Sequence, residues 1–327
     1  MDELGNRTTH QKRILFNNLR ENYEVFKEEN KNVNLSRASF ANLLCNCNNQ
    51  ECMFAACPLC EDFFTEKVEN NVTDGNAKIN WFQWVNENGR AEKKAFSGSV
   101  DEAIKLLKSK TEQFLFHVYI KREQSKYFEK LKLEVTDEKV VCQVDFAEYF
   151  GMKEQDEIQS AHWNTKTLSI FTAYVWSKSH GLSFALPSLD VTHDKFVVNS
   201  ALEIILNHLN TVLLNLKEIN FFSGGAAGQF KQRFHSRNLV QIAHEHKINL
   251  SWNSFATSHG KGVVDGIGGT VKRLVWSTVL GGGACRAAED FIKIAKQKTK
   301  KIILLKITRN DINAATQVQK NGPLTAS

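Results

Sequence analysis

Three β-rich segments follow one another after Thr136, namely KVVCQVDFAEYF, LSIFTAYVW and LSFALPSL. Their β-branched and aromatic residues favour strands. A long helical pattern begins at FVVNSALEIILNHLNTVLLNL, and the chain then alternates through the strand KEINFFSGG, the helix QFKQRFHSRNLVQIAHEHK and the strand INLSWNSF. The predicted order is therefore βββαβαβ, with a further helix after GIGGTVKR, and the predicted fold class is α/β.

The chain before Thr136 has a different, mainly helical texture. Apolar residues recur at intervals of three to four between residues 10 and 30, which predicts a helix. The aromatic segment INWFQWV fits either a strand or a short helix, whereas SVDEAIKLLKSKTEQFLFHVYIKREQSKYFEKLKLE predicts one or two amphipathic helices. We therefore divide the chain into a helical, cysteine-rich region (1–66), a helical connector (67–135) and an α/β core (136–327).

Composition narrows the class of protein only a little. The N-terminal residues lack the apolar stretch of a signal peptide, and no window is apolar enough to cross a membrane, so we expect a soluble protein that is not secreted. The formal charge of +6 permits a polyanionic partner, but 36 acidic residues offset 42 basic ones. Charge alone fits an ordinary, mildly basic protein equally well.

Five cysteines are crowded between Cys45 and Cys60. Zinc takes four thiolates tetrahedrally, and Cys47, Cys52, Cys57 and Cys60 can supply them, with Cys45 as the rival for the place of Cys47. Such a site would be structural, because four protein ligands leave no open position for substrate. Buried free cysteines or a redox pair at the CPLC knuckle are the alternatives.

Asp145 ends the otherwise apolar run KVVCQVD. An ionised carboxylate inside a sheet costs several kcal/mol unless it is paired or bound to a metal ion. Enzymes that transfer phosphoryl groups with two Mg²⁺ ions need carboxylates that converge from different strands and a helix. The alternative is that Asp145 lies at an exposed strand end and caps the following turn.

The segment HGKGVVDGIGGTVKR combines glycines with basic residues. It lacks the spacing of a nucleotide-binding P-loop. Its glycines, at positions 260, 262, 266, 268 and 269, would let the backbone approach a DNA phosphate, with Lys261, Lys272 and Arg273 supplying charge. A flexible loop that leads into a helix explains the same pattern without a ligand.

Three sequence motifs follow one another along the chain: VDFAE (144–148), FFSGGAAGQFK (221–231) and HGKGVVDGIGGTVKR (259–273). Together they resemble a DDE-type DNA transposase family of animal genomes, and INWFQW, EIQSAHW and the cysteine knuckle extend the resemblance over most of the chain. The resemblance implies a ribonuclease H-like mixed sheet flanked by helices, preceded by a zinc-stabilised helical region. It also implies Mg²⁺ or Mn²⁺ as the catalytic cofactor, DNA (transposon ends) as the partner and a nuclear location. It does not determine the oligomeric state and allows a homo-oligomer. It implies no association with a membrane.

Carried over onto this sequence, the resemblance makes Asp145 the first catalytic acid and Asp265 the last, while Gly224 occupies the place of the second. Glycine has no side-chain oxygen for a metal ion, so the site is degenerate. Glu148, Asp190 and Asp194 are poor substitutes, because strand alternation, hydration or helix capping explains them. The expected function is that of a transposon-derived protein with impaired DNA cleavage and strand transfer. The alternative is a non-catalytic DNA-binding or interaction protein of the same origin.

Overall fold

The structure is a computed structural model that describes residues 62, 64–66, 68–87, 90–152, 166–256, 260 and 262–321. The chain divides into two compact units, residues 1–120 and 121–327. The five cysteines of the predicted zinc site lie outside the described residues, so the zinc assignment stays a prediction. The two units are described separately below.

In the first unit a short 3-10 turn (Glu69–Asn71) precedes an antiparallel hairpin of β1 (Lys78–Glu87) and β2 (Arg90–Ser99). Helix α1 (Val100–Leu133) follows directly, and its residues from Lys121 onward belong to the second unit. Side chains pair across the hairpin: Trp81 stacks on Phe96 with ring centroids 6.2 Å apart, and Lys93 Nζ lies 4.3 Å from the Phe82 ring centroid. Such cross-strand pairs stabilise INWFQWV as a strand. The segment predicted to be a helical connector therefore contains a hairpin before its helix.

The second unit contains the remaining strands and helices. These are β3 (Lys139–Gly151), β4 (Thr167–Trp176), β5 (Gly181–Ser188), α2 (Lys195–Val212), β6 (Glu218–Ser223), α3 (Ala227–Phe230), α4 (Arg233–His246), β7 (Asn249–Ser254), α5 (Val263–Leu280), α6 (Ala288–Lys298), β8 (Ile302–Leu304) and α7 (Arg309–Asn321). The α/β class and the order βββαβαβ are confirmed. Two details differ. The helix predicted between the strands KEINFFSGG and INLSWNSF is divided into α3 and α4, and the glycine-rich segment GIGGTVKR lies inside α5 and not before it.

The six strands form one mixed sheet in the order β7-β6-β3-β4-β5-β8. Strands β3, β4 and β5 are antiparallel neighbours. On the other side β3 pairs with β6, and β6 with β7, both in parallel, while β8 runs parallel to β5 at the far edge. Strand β3 is therefore central, with an antiparallel and a parallel neighbour.

Helices cover both faces of the sheet. Strand β3 turns Val140, Cys142 and Val144 towards an apolar layer that includes α2 and α4. A second apolar layer joins β4 to α5 and α6 and includes Ile170 and Val271. Among the described residues, no helix combines the length and the apolar character needed to cross a membrane.

Candidate functional site

Asp145 lies near the middle of β3, at the point where the parallel strand β6 ends. The last pair in register between these strands is Val144 with Ser223, so Asp145 and Gly224 are the next residue on each strand. Thr172 of β4 donates its hydroxyl hydrogen to the Asp145 carbonyl oxygen at 3.0 Å. The aspartate is thus inside the sheet, not at an exposed strand end that caps a turn.

The surroundings of Asp145 disfavour its charged form. Burial raises the pKa of Asp145 to about 6, and the negative charge of Asp265 acts in the same direction. The backbone N–H of Phe146 donates to Oδ1 of Asp145 at 2.8 Å and opposes this shift. The two aspartates are therefore close enough to interact electrostatically.

Asp265 comes to this place from the first turn of α5. Its Oδ2 accepts a hydrogen bond from the N–H of Gly262 at 2.8 Å, which satisfies one of the free amides at the helix start. A carboxylate near a helix N-terminus is also favoured by the helix dipole. Asp265 itself is exposed to solvent.

Gly224 completes a group of three positions. A β-carbon at position 224 would lie 4.0 Å from Oδ2 of Asp145, an ordinary van der Waals distance. The φ angle of Gly224 lies outside the left-handed region, so a side chain there is not strained. The structure thus brings Asp145, Gly224 and Asp265 together.

A residue that sequence analysis missed, Gln143, binds the backbone of Gly260, shortly before α5. Its side chain is 3 % exposed, and Nε2 donates to the Gly260 carbonyl oxygen at 3.0 Å. The signal was present in the sequence, since Gln143 is the polar residue one strand period before Asp145 and must face the same side. A buried amide of this kind requires a hydrogen-bond partner.

Three of the five glycines in the glycine-rich block serve close packing within the protein. A β-carbon at Gly260 would lie 2.9 Å from the Gly224 Cα, and one at Gly262 would lie 2.7 Å from Oε1 of Gln143. A β-carbon at Gly268 would lie 2.6 Å from that of Ala147 on β3. These glycines let α5 and its preceding loop pack against the strands, so a DNA phosphate is not needed to explain them. For Gly266 and Gly269, in contrast, no atom lies within 4 Å.

The predicted basic residues have different positions. Lys272 Nζ donates to the Glu148 carbonyl oxygen at 3.1 Å, and Arg273 is exposed. Both residues line a shallow groove of about 390 Å³ together with Tyr149 and Trp276. Lys261 lies outside the described residues.

The acidic residues considered as substitutes for a third acid have local roles. Asp194 caps α2, as predicted, by accepting from the N–H groups of Phe196 and Val197 at 2.9 and 3.1 Å. Asp190 accepts from the backbone and hydroxyl of Thr192 at 3.0 and 2.6 Å.

Comparison with protein families gives two matches. The model of a family described as a domain of unknown function, DUF8701, matches residues 124–323. The chain belongs to the DUF8701 family. A second domain of unknown function, DUF8699, matches residues 1–46. No curated protein and no solved structure matched the chain.

The DUF8701 region contains Asp145, Gly224 and Asp265, whereas the four candidate zinc ligands lie between the two matched regions. The two cysteines within the DUF8701 region, Cys142 and Cys285, are buried. Burial raises the pKa of the Cys285 thiol to about 11, and burial also raises the pKa of Cys142. Neither thiol is therefore ionised at neutral pH.

The carboxylates at the site do not complete a metal centre. In the described part of the chain, no three His, Cys, Asp or Glu side chains are grouped so that they could hold a metal ion. Two-metal phosphoryl transfer depends on several converging carboxylates, and the described residues supply two at this place, Asp145 and Asp265. The native residues therefore do not fit a two-metal site.

Proposed function

We propose that this chain derives from the strand-transfer core of a DDE-type DNA transposase and has lost most or all of its cleavage activity through Gly224. The observation that carries the proposal is the proximity of three positions: Gly224, directly after β6, lies beside Asp145 of β3, and Asp265 of α5 acts electrostatically on Asp145. Such convergence from different elements is what metal-assisted phosphoryl transfer requires of its carboxylates.

The strand order supports the same origin. A central first strand with an antiparallel second strand and a parallel fourth strand fits the ribonuclease H-like sheet that the sequence resemblance implies. In an intact site, bound Mg²⁺ or Mn²⁺ would activate the attacking oxygen and stabilise the leaving oxygen. With two carboxylates in place of three, we assign no such step to the native chain.

The second candidate function is a non-catalytic DNA-binding or interaction protein of the same origin. The missing side chain at Gly224 favours it, because a retained fold with an incomplete site suits binding without cleavage. The transposase core and the DNA-binding form of the second candidate have DNA as the partner, and we therefore propose a nuclear location. In both, Lys272 and Arg273 contribute charge to DNA binding.

The test is a plasmid-nicking assay with Mg²⁺ or Mn²⁺ on five proteins: native, Asp145→Asn, Gly224→Asp, Gly224→Asp with Asp145→Asn, and Gly228→Asp. Gly228 is the matched control, because a β-carbon there meets no atom closer than an ordinary van der Waals contact, as at Gly224, but has no contact with Asp145. Loss of even an outer-shell partner of a metal ligand weakens metal affinity or activity by about 10–100-fold. We expect Gly224→Asp to raise nicking by roughly tenfold or more, since it adds a direct ligand.

Metal binding is measured in parallel as the rise in melting temperature that Mn²⁺ causes. The gain should need Asp145 and should be absent in Gly228→Asp. Strong nicking by the native protein that Asp145→Asn abolishes would show that Gly224 is no defect and that the second acid lies elsewhere. A folded Gly224→Asp protein with neither tighter Mn²⁺ binding nor nicking would contradict the transposase assignment of the site.

A further inference from the structure

Gly266 and Gly269 lie on the exposed face of α5, and no contact with the described part of the chain explains them. No atom lies within 4 Å of a β-carbon built at either position. Neither has a φ angle in the left-handed region, where glycine is preferred. Glycine within a helix destabilises it relative to alanine. A ligand that approaches the helix backbone closely from outside the protein would explain why both positions carry no side chain.

The surface of α5 that Gly266 and Gly269 leave without side chains extends from Asp265 towards the groove. Gly266 follows Asp265, Gly269 lies one turn further, and Arg273 one turn beyond that on the same face. The distance along α5 from Asp265 to Arg273 is about 12 Å, at 1.5 Å per residue. Arg273 lines the groove of about 390 Å³.

The groove has the chemistry of a site for a nucleotide. Two of the residues that line it, Lys272 and Arg273, are cationic, and none is acidic. Two others present aromatic rings to solvent, because Tyr149 is 50 % exposed and Trp276 is 38 % exposed. Exposed rings beside positive charge bind unpaired bases by stacking, which a base inside a duplex cannot do.

We propose that this face of α5 binds a single strand of nucleic acid. The sugar-phosphate backbone crosses Gly266 and Gly269, Arg273 contacts a phosphate, and an unpaired base stacks on Trp276 or Tyr149 in the groove. The proposal rests on the proposed function for the class of ligand. It adds a preference for unpaired over paired nucleotides and assigns that preference to named residues.

The experiment measures binding by fluorescence anisotropy at low salt with EDTA, so that cleavage plays no part. The probes are a labelled oligothymidine of about 15 nucleotides, near the upper limit of single-strand site sizes, and a duplex of equal length. The variants are Trp276→Ala, Arg273→Gln and Gly269→Leu. Two controls are Phe234→Ala on α4, where the ring is exposed to 37 %, and Lys296→Ala, an exposed cation on α6.

We expect the native protein to bind the single strand more tightly than the duplex. Removing one stacking ring with Trp276→Ala should weaken single-strand binding roughly tenfold. Arg273→Gln should weaken it and reduce its dependence on salt. Gly269→Leu should weaken it without lowering the melting temperature, because the added side chain meets open space. The controls should bind as the native protein does.

Equal binding of both probes, or variants that bind like the native protein, would overturn the groove assignment and leave the proposed function standing. No binding of either probe would overturn both. If Gly224→Asp does not nick DNA but the preference for a single strand is intact, the proposed origin from a transposase is contradicted and the groove assignment stands. Arg273→Gln keeps the test decisive if Trp276→Ala does not fold.

Discussion

Asp145 is the residue at which stability and chemistry conflict. Its pKa in the folded protein is raised from 3.8 to about 6, chiefly by burial and further by Asp265. Because the folded-state pKa is the higher one, the protonated carboxyl favours folding fully below pH 3.8, and this contribution is lost as the pH rises through about 6. At neutral pH the ionised side chain therefore lowers the free energy of unfolding.

Asp145→Asn should accordingly stabilise the protein near neutral pH. We expect an increase of roughly 1–2 kcal/mol in the free energy of unfolding at about pH 7.5, and little change at about pH 4, since one pKa unit corresponds to about 1.4 kcal/mol and solvent screens part of the effect. Urea unfolding at the two pH values measures it. A loss of stability at pH 7.5 would mean that the carboxylate makes a stabilising contact that asparagine cannot replace.

His235 gives the opposite dependence on pH. Its side chain is 1 % exposed, both ring nitrogens lack a partner among the described residues, and the ring lies edge-on to Trp252 with centroids 4.4 Å apart. Burial lowers the pKa of His235 from 6.5 to about 4. Stability from the neutral ring is complete above pH 6.5 and is lost as the pH falls towards 4.

His235→Phe keeps the aromatic contact and removes the proton. We expect the melting temperature of this variant, relative to the native protein, to be higher at about pH 5 than at about pH 7.5. The difference between the two pH values is the readout, because any packing change alters both equally. The same shift at both values would show that His235 does not titrate in this range.

At the scale of elements, α5 contains two adjacent glycines with opposite expected effects. Gly268 faces β3, where a β-carbon would lie 2.6 Å from that of Ala147, whereas Gly269 faces open space. Gly268→Ala should destabilise the protein by roughly 1–3 kcal/mol, because the helix must move away from the strand. Gly269→Ala should stabilise it by roughly 0.5–1 kcal/mol through helix propensity.

Thermal unfolding of the two single variants measures this difference. Since the residues are neighbours in one helix, each serves as the control for the other. Gly268→Ala should also weaken Mn²⁺ binding in a Gly224→Asp background, because α5 positions Asp265. Equal effects of the two alanines on stability would contradict the packing of α5 against β3.

At the scale of the whole molecule, the second unit contains the carboxylate site, and the cysteine cluster lies in the first. We predict one structural zinc ion per chain, bound by Cys52, Cys57, Cys60 and either Cys47 or Cys45, because four thiolates match the tetrahedral preference of zinc. Metal analysis of protein purified without chelators tests this. Much less than one equivalent of zinc, with folding unchanged by Cys57→Ser, would contradict the prediction.

Much of the fold could be predicted from the sequence because the signals are local. The strands around Asp145 and the helices that follow show their own periodicity, so the α/β class and the order βββαβαβ required no information about tertiary contacts. INWFQWV could not be assigned, because the partner that makes it a strand is β2, whose residues RAEKKAFSGS have little strand character of their own. The short edge strand β8 was missed as well, although its residues, IIL, have strand character.

The candidate site, like the fold, could be predicted from the sequence only in part. The sequence by itself determined that Asp145 ends an apolar strand segment and that Gly224 follows the short strand in KEINFFSGG, since both facts depend on neighbouring residues. Only the tertiary structure decided that these two positions are adjacent, that Asp265 acts on Asp145 from α5, and that buried Gln143 binds the backbone of Gly260. It also separated the glycines that pack against strands from Gly266 and Gly269, which face solvent. The reason is that these contacts join residues far apart in the chain, and no local periodicity records which distant backbone a glycine or a carboxylate will meet.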